Sequence, residues 1–131
     1  MVLRVRSARG AATAELAMAL PLLVAVTIGL VWLLAVGAAQ IRVVDAARET
    51  ARAAARGDST GDAVARGLQV APDGSHVTVA VAGDRVRVSA KGRVTGPGGL
   101  FDFLPGVSVH AEAVAALEGT PVAPGASAGG P

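Results

Sequence analysis

A stretch of 24 residues without a charged side chain, Leu16–Ala39, constrains this 131-residue chain more than any other feature. A helix rises about 1.5 Å per residue, so the stretch extends about 36 Å and spans the hydrocarbon core of a bilayer, which is about 30 Å thick. The apolar core of a secretory signal is only about 7–15 residues long. The sequence therefore predicts a transmembrane helix over residues 11–39, with Glu15 as a lone carboxylate at its entrance.

The distribution of charge predicts the orientation of this helix. Three arginines precede it in a basic leader, residues 1–10, whereas residues 40–131 carry nine Lys/Arg and nine Asp/Glu. Basic residues at one end of a span favour the cytoplasmic side. We therefore expect a single-pass protein of the cytoplasmic membrane, with its N-terminus in the cytoplasm and the rest of the chain outside. Because the distal part is neutral and poor in aromatic residues, we expect no nucleic-acid partner.

The residues that follow the span predict a continuation of the helix outside the membrane. Residues 40–56 are rich in alanine, which favours helix, and apolar side chains recur at helical spacing. This apolar strip consists of Ile41, Val44, Ala47, Ala51 and Ala54. We expect the strip to cover the rest of the domain.

A second, shorter helix is predicted after a glycine-rich break. Ser59 or Thr60 provides a cap for a helix over residues 62–69. Val64 and Leu68 are one turn apart, so we expect them to form its apolar face.

Alternation of apolar and polar residues then predicts an antiparallel sheet of about three strands. Gly83-Asp84 suits a two-residue hairpin turn. This turn pairs Val81 with Val86, Val79 with Val88 and Val77 with Ala90, which places the apolar side chains on one face. A third strand includes Val107, Val109, Ala111 and Ala113.

These elements predict an α+β fold, in which a long N-terminal helix packs on a small antiparallel sheet. Residues 57–118 form a small extracytoplasmic domain in this interpretation. We expect Phe101 and Phe103 to lie in a loop that covers the sheet or the helix; the alternative is an exposed contact for a partner. The final stretch, residues 119–131, contains mostly Gly, Pro, Ala and Ser and is expected to be disordered.

The residue types argue against an enzyme. The chain has no cysteine, and it has no glycine-rich loop followed by a phosphate-binding lysine. His76 and His110 lie on different predicted strands without an acidic cluster in the sequence between them. We therefore expect no catalytic or metal site, no cofactor and no small-molecule substrate.

Glu15 is the residue that most indicates a function. An ionised carboxylate at the edge of a bilayer is costly, and such residues usually have a functional partner. One interpretation places Glu15 at the level of the headgroups, near Arg9. The other requires a positive charge from another molecule, and cleavage after Gly10 would create one as the free amine of Ala11.

The start of the chain resembles the processing site of type IV pilins and pseudopilins, in which four residues separate a glycine from a glutamate, as between Gly10 and Glu15. The longer stretch Arg9–Leu23 contains Arg-Gly, small residues, Glu, an apolar segment and Pro-Leu-Leu, and it is similar to TadE-like proteins of the tight-adherence (Flp pilus) system. The Ala- and Arg-rich helix and Val114–Ala116 resemble the actinobacterial branch of that family. Leu16 departs from many Flp-type pilins, which have an aromatic residue there.

The resemblance implies a pilin-like fold and the role of a minor pilin or pseudopilin. A prepilin peptidase would cut after Gly10, Ala11 would become the N-terminus, and Glu15 would pair with the amine of a neighbouring subunit. The implied partners are this peptidase, other pilins or pseudopilins, the pilus platform membrane proteins and the lipid bilayer. The implied process is the assembly of a Flp-type type IV pilus or a related secretion apparatus, with a place at the cell surface after assembly. A filament constituent, a tip initiator and a membrane-resident assembly factor all fit the sequence.

Two other interpretations stay open at this point. The chain fits an uncleaved single-pass membrane protein with an extracytoplasmic interaction module. It also fits a secreted soluble protein cleaved before Gln40, because Gly37-Ala38-Ala39 resembles a signal-peptidase site. The three interpretations predict mature chains that begin at Ala11, at the initiator region or at Gln40.

Overall fold

The computed structural model describes residues 6–96 and 106–119, with side chains from Gly10 onward. Within these residues the elements are α1 (Arg6–Ala55), α2 (Thr60–Val70), β1 (His76–Ala82), β2 (Arg85–Val94) and β3 (Val107–Ala116). A long helix and a three-stranded antiparallel sheet confirm the predicted α+β class. The predictions for the loop with Phe101 and Phe103, for residues 1–5 of the leader and for residues 120–131 of the tail lie outside the described residues.

The chain divides between Ala35 and Val36 into two compact units. In the first unit α1 exposes its large apolar side chains, among them Leu16, Met18 and Leu34. The most apolar 18-residue window of the helix has a mean hydropathy of 2.5, and none of it is buried. Apolar side chains on every side of a helix suit a lipid environment, so α1 is a candidate membrane span.

The helix α1 starts at Arg6, five residues before the predicted start at residue 11. No proline or turn sequence precedes Gly10, and a single glycine lowers helix stability by only about 1 kcal/mol. The helix ends at Ala55, and Gly57 follows it with a φ of 94°. A glycine in this conformation is the common way for a helix to terminate.

In the second unit the C-terminal part of α1 contributes small side chains to the hydrophobic core. The α1 residues of this core are Ala39, Val43, Ala47, Ala51, Ala53 and Ala54, and the sheet residues are Val86, Val88, Ala90, Val109 and Ala111. The predicted strip was wrong at one end, because Ile41 is 63% exposed while Val43 is fully buried. Two residues along a helix correspond to a rotation of about 200°, so these two side chains lie on opposite sides of α1.

The helix α2 begins with the predicted kind of cap. The hydroxyl oxygen of Ser59, not that of Thr60, accepts a hydrogen bond from the backbone N–H of Asp62, with an N···O distance of 3.1 Å. The predicted apolar face was wrong, because Leu68 is 43% exposed and the buried residues are Ala63 and Gly67. The small residues face α1, where they permit a close approach of the two helices.

The sheet has the order β1-β2-β3 with antiparallel neighbours. The register confirms the predicted pairs Val81–Val86, Val79–Val88 and Val77–Ala90. Gly83 has a φ of 62° and Asp84 does not have a positive φ, as a type II′ turn requires at its two central positions. The inner side chains of the central strand are buried, whereas the outward-facing Arg85 and Arg87 are exposed.

Candidate processing and assembly site

Gly10, Ala11 and Glu15 lie in the first three turns of α1, and all three are exposed. Ala11 and Glu15 are four residues apart and therefore lie on one face of the helix, about 6 Å from each other. The Gly10–Ala11 peptide bond lies within the helix, five residues after its start at Arg6. Cleavage at this bond would shorten α1 and would leave Ala11 with a free amine one turn from Glu15.

Gly10 packs against none of the residues that the structure describes. A Cβ atom added to it would have no described atom within 4 Å. A glycine in a helix costs about 1 kcal/mol relative to alanine, so its presence here is not explained by helix stability either.

Glu15 is a carboxylate beside an apolar surface. It is exposed, and it forms no ion pair with any residue that the structure describes. The next side chain, Leu16, is 65% exposed, and the side chains of the following two turns are exposed and mostly apolar. An ionised carboxylate in this position is costly when the helix is surrounded by lipid.

After Glu15, two residues of the apolar part of α1 change the hydrogen bonding of backbone carbonyls. Pro21 has no N–H, so the carbonyl of Ala17 lacks its usual helical donor. The hydroxyl of Thr27 donates a hydrogen bond to the carbonyl of Leu23, with an O···O distance of 2.8 Å. This bond pairs the Thr27 hydroxyl within the exposed apolar part of α1, whereas Pro21 marks a point where the helix bends more easily.

A second group of polar side chains lies on the outer face of the sheet. Lys91 of β2 is directly opposite His76 of β1 and His110 of β3, so the lysine separates the two histidines. No cluster of three or more His, Cys, Asp or Glu suited to a metal occurs among the residues described. Sequence reasoning placed the histidines on different strands but missed this row, because only the cross-strand register aligns the three residues.

The fold and the site together define a class of protein in which a membrane-capable helix has one glutamate at the start of its apolar part and continues into a small α+β unit. The family model described as "TadE-like protein" matches residues 10–52. The chain therefore carries a TadE-like region that begins at Gly10, and the predicted resemblance to this family is confirmed over that region. No curated protein and no solved structure matches the chain.

Proposed function

We propose that this protein is a minor pilin or pseudopilin that a prepilin peptidase cuts after Gly10 and that then takes part in assembling a Flp-type type IV pilus or a related secretion apparatus. The observation that carries the proposal is the TadE-like match, which begins at Gly10 and covers the whole exposed apolar helix. The N-terminus lies in the cytoplasm, where the peptidase acts, and residues 40–131 lie outside. The proposal assigns no catalytic activity to the chain.

The exposure of Gly10 supports the processing step. The residues on either side are small or basic, and a glycine with open space around it gives a protease access to the backbone. Removal of residues 1–10 takes three arginines from the chain and leaves nine basic and ten acidic side chains. The basic residues that favour a cytoplasmic N-terminus are thereby removed.

The mature helix supplies both halves of the proposed charge pair. Its first N–H groups and the ammonium of Ala11 form a positive end, and Glu15 presents a negative group one turn further on. When two such helices pack side by side with a small axial offset, the ammonium of one meets Glu15 of the other. In the assembly the exposed apolar side chains contact neighbouring helices instead of lipid. The partners are thus the peptidase, other pilins or pseudopilins, the pilus platform proteins and the bilayer.

The decisive experiment combines intact-mass measurement of the protein from its native host with two substitutions. We expect the native protein to begin at Ala11. Gly10→Ala should block cleavage, and the matched control Gly29→Ala should not, because Gly29 is another α1 glycine with open space around it. Glu15→Gln should be cleaved normally but should assemble poorly.

Each result has a clear consequence for the proposal. A functional native protein that retains its first ten residues would favour the uncleaved membrane protein, and one that begins at Gln40 would favour the secreted protein. Normal assembly by Glu15→Gln would refute the charge pair while leaving the processing step intact.

A further inference from the structure

One end of the sheet carries a cluster of cationic and imidazole side chains on its outer face. Lys91 is flanked by His76 and His110, and Arg93 follows two residues later on the same face of β2. All four side chains are exposed and line one shallow concavity, together with Glu112. We call these four residues the basic end of the sheet.

The positive charge of the basic end is not neutralised by the described residues. Glu112 is the acidic residue of the concavity, and its carboxylate forms an ion pair with Arg87, with an N···O distance of 3.6 Å. No ion pair joins Lys91 or Arg93 to an acidic side chain of residues 10–96 or 106–119. Within the described residues, the lysine and the arginine therefore have no carboxylate partner.

Two hydrogen bonds show which residues of α1 lie beside each end of the third strand. The side-chain amide of Gln40 donates to the carbonyl of His110, with an N···O distance of 2.9 Å, and the backbone N–H of Glu118 donates to the carbonyl of Ala55, at 3.1 Å. The eight residues from His110 to Glu118 cover about 26 Å as extended chain. The fifteen residues from Gln40 to Ala55 cover about 22 Å as helix. The third strand therefore runs alongside α1 in the same direction.

The basic end consequently lies level with the residues of α1 that directly follow Ala39. His110 is level with Gln40, the residue directly after Ala39. Arg93 is opposite Ser108, which is two residues, or about 7 Å, further toward the N-terminal end of α1. The acidic residues Asp84 and Glu118 lie at the other end of the sheet.

We propose that the basic end docks on anionic phosphate headgroups of the leaflet from which α1 emerges. This inference rests on the membrane-resident state in the proposed function, because it requires α1 to span a bilayer up to about Ala39. Lysine and arginine within a Debye length of an anionic membrane each gain attraction that corresponds to about fivefold in binding. Their long stems allow the charged groups to reach the headgroups.

The absence of cysteine from the chain allows a direct test. Ser108→Cys, at the basic end, receives a single fluorophore, and the full chain is placed in nanodiscs with a quencher on the lipid headgroups. We expect strong quenching when phosphatidylglycerol is present, and weak quenching in phosphatidylcholine alone or at high salt. Ala116→Cys is the matched control, because it lies on the same face of the same strand at the other end. Its fluorophore should not be quenched in either lipid.

Charge substitutions identify the residues responsible. The double substitution of Lys91 and Arg93 by glutamine should lower the ratio of docked to undocked states about 25-fold, from about fivefold for each cation. Arg85→Gln, the same charge change at the far end of β2, should leave quenching at Ser108→Cys unchanged.

The proposal is overturned if the fluorophore at position 108 is quenched equally in both lipids, or in neither. It is also overturned if the double substitution has no effect. The nanodisc contains no peptidase and no pilus components, so failure of docking leaves the processing at Gly10 untouched. Conversely, a native protein that is never processed leaves the docking result valid.

Discussion

The close approach of α1 and α2 can be tested by replacing Gly67 with alanine. A Cβ atom at this position would overlap the hydroxyl oxygen of Thr50 and would lie 3.0 Å from the carbonyl oxygen of Ala46. Thr50 and Ala46 are both fully buried, so neither residue can move aside into solvent. The two helices would have to separate to admit a single methyl group.

The expected change in the free energy of unfolding of Gly67→Ala is the balance of two opposing effects. Alanine is a better helix former than glycine by about 1 kcal/mol, which favours the variant. Overpacking of a close contact costs about 1–3 kcal/mol. We take the upper end, because the carbonyl of Ala46 belongs to the backbone and cannot rotate away. The free energy of unfolding of the second unit should therefore fall by about 2 kcal/mol, which is about 30-fold in the opening equilibrium.

Hydrogen exchange of backbone amides is the appropriate assay. Trp32 is the one tryptophan of the chain and lies in the first unit, whereas the backbone amides of β2 belong to the second unit and report on it directly. In the regime where exchange follows the opening equilibrium, amides of β2 in Gly67→Ala should exchange about 30-fold faster. Gly61→Ala is the matched control in the same helix. The nearest atom to its added Cβ is the Ser59 hydroxyl oxygen at 3.9 Å, so exchange should be unchanged or slower.

A second substitution decides whether steric overlap is the cause. Thr50→Ala removes the hydroxyl that the new methyl group would overlap. The double variant should therefore lose less stability than the sum of the two single variants, by about 1 kcal/mol. The reasoning is refuted if Gly67→Ala behaves like Gly61→Ala, or if the two single effects simply add.

Other substitutions test the remaining elements, with the free energy of unfolding measured in the same way. Val88→Ala should cost roughly 2 kcal/mol because the side chain is fully buried, whereas Val81→Ala should cost much less because Val81 is 59% exposed. Ser59→Ala should cost about 1 kcal/mol through loss of the cap, and Thr60→Ala should have little effect, since its hydroxyl does not cap the helix. Gly83→Ala should cost about 1–2 kcal/mol, because a φ of 62° is unfavourable for a residue with a Cβ.

The hairpin was predictable because two independent signals agree in it. Apolar residues alternate with a period of two on both sides of Gly83-Asp84, and a two-residue turn allows one register that places Val79 and Val88 on the same face. A shift of one residue would expose the whole apolar set. The sequence therefore specified both the strands and their pairing.

The buried faces of the two helices were less predictable, because an alanine does not indicate whether its side of a helix is buried or exposed. Hydrophobicity favoured Ile41 and Leu68, yet the structure buries Val43 and Gly67. In a contact between helices the size of a side chain decides how close the backbones come. The sequence pattern contains no measure of that distance.

The two candidate sites also differ in how far the sequence predicts them. Gly10, Ala11 and Glu15 are close in sequence, so their resemblance to the processing site of type IV pilins is visible in the sequence itself. The basic end could not be predicted in this way. It depends on the register that sets Lys91 beside His110 and on the hydrogen bond from Gln40, a contact across 70 residues.

The two parts of α1 differ in side-chain size because their surroundings differ in how far they can adapt. If the first part spans a bilayer, lipid chains rearrange around any side chain, so leucine and valine are free to occupy every side of it. From Ala39 onward α1 contacts the sheet on one side and, through Ala46 and Thr50, α2 on another. Protein neighbours at fixed distances leave little room between backbones, and alanine fits that room without loss of side-chain entropy. Large apolar residues at the buried alanines would therefore disrupt the second unit, whereas the same changes before Ala35 would be tolerated.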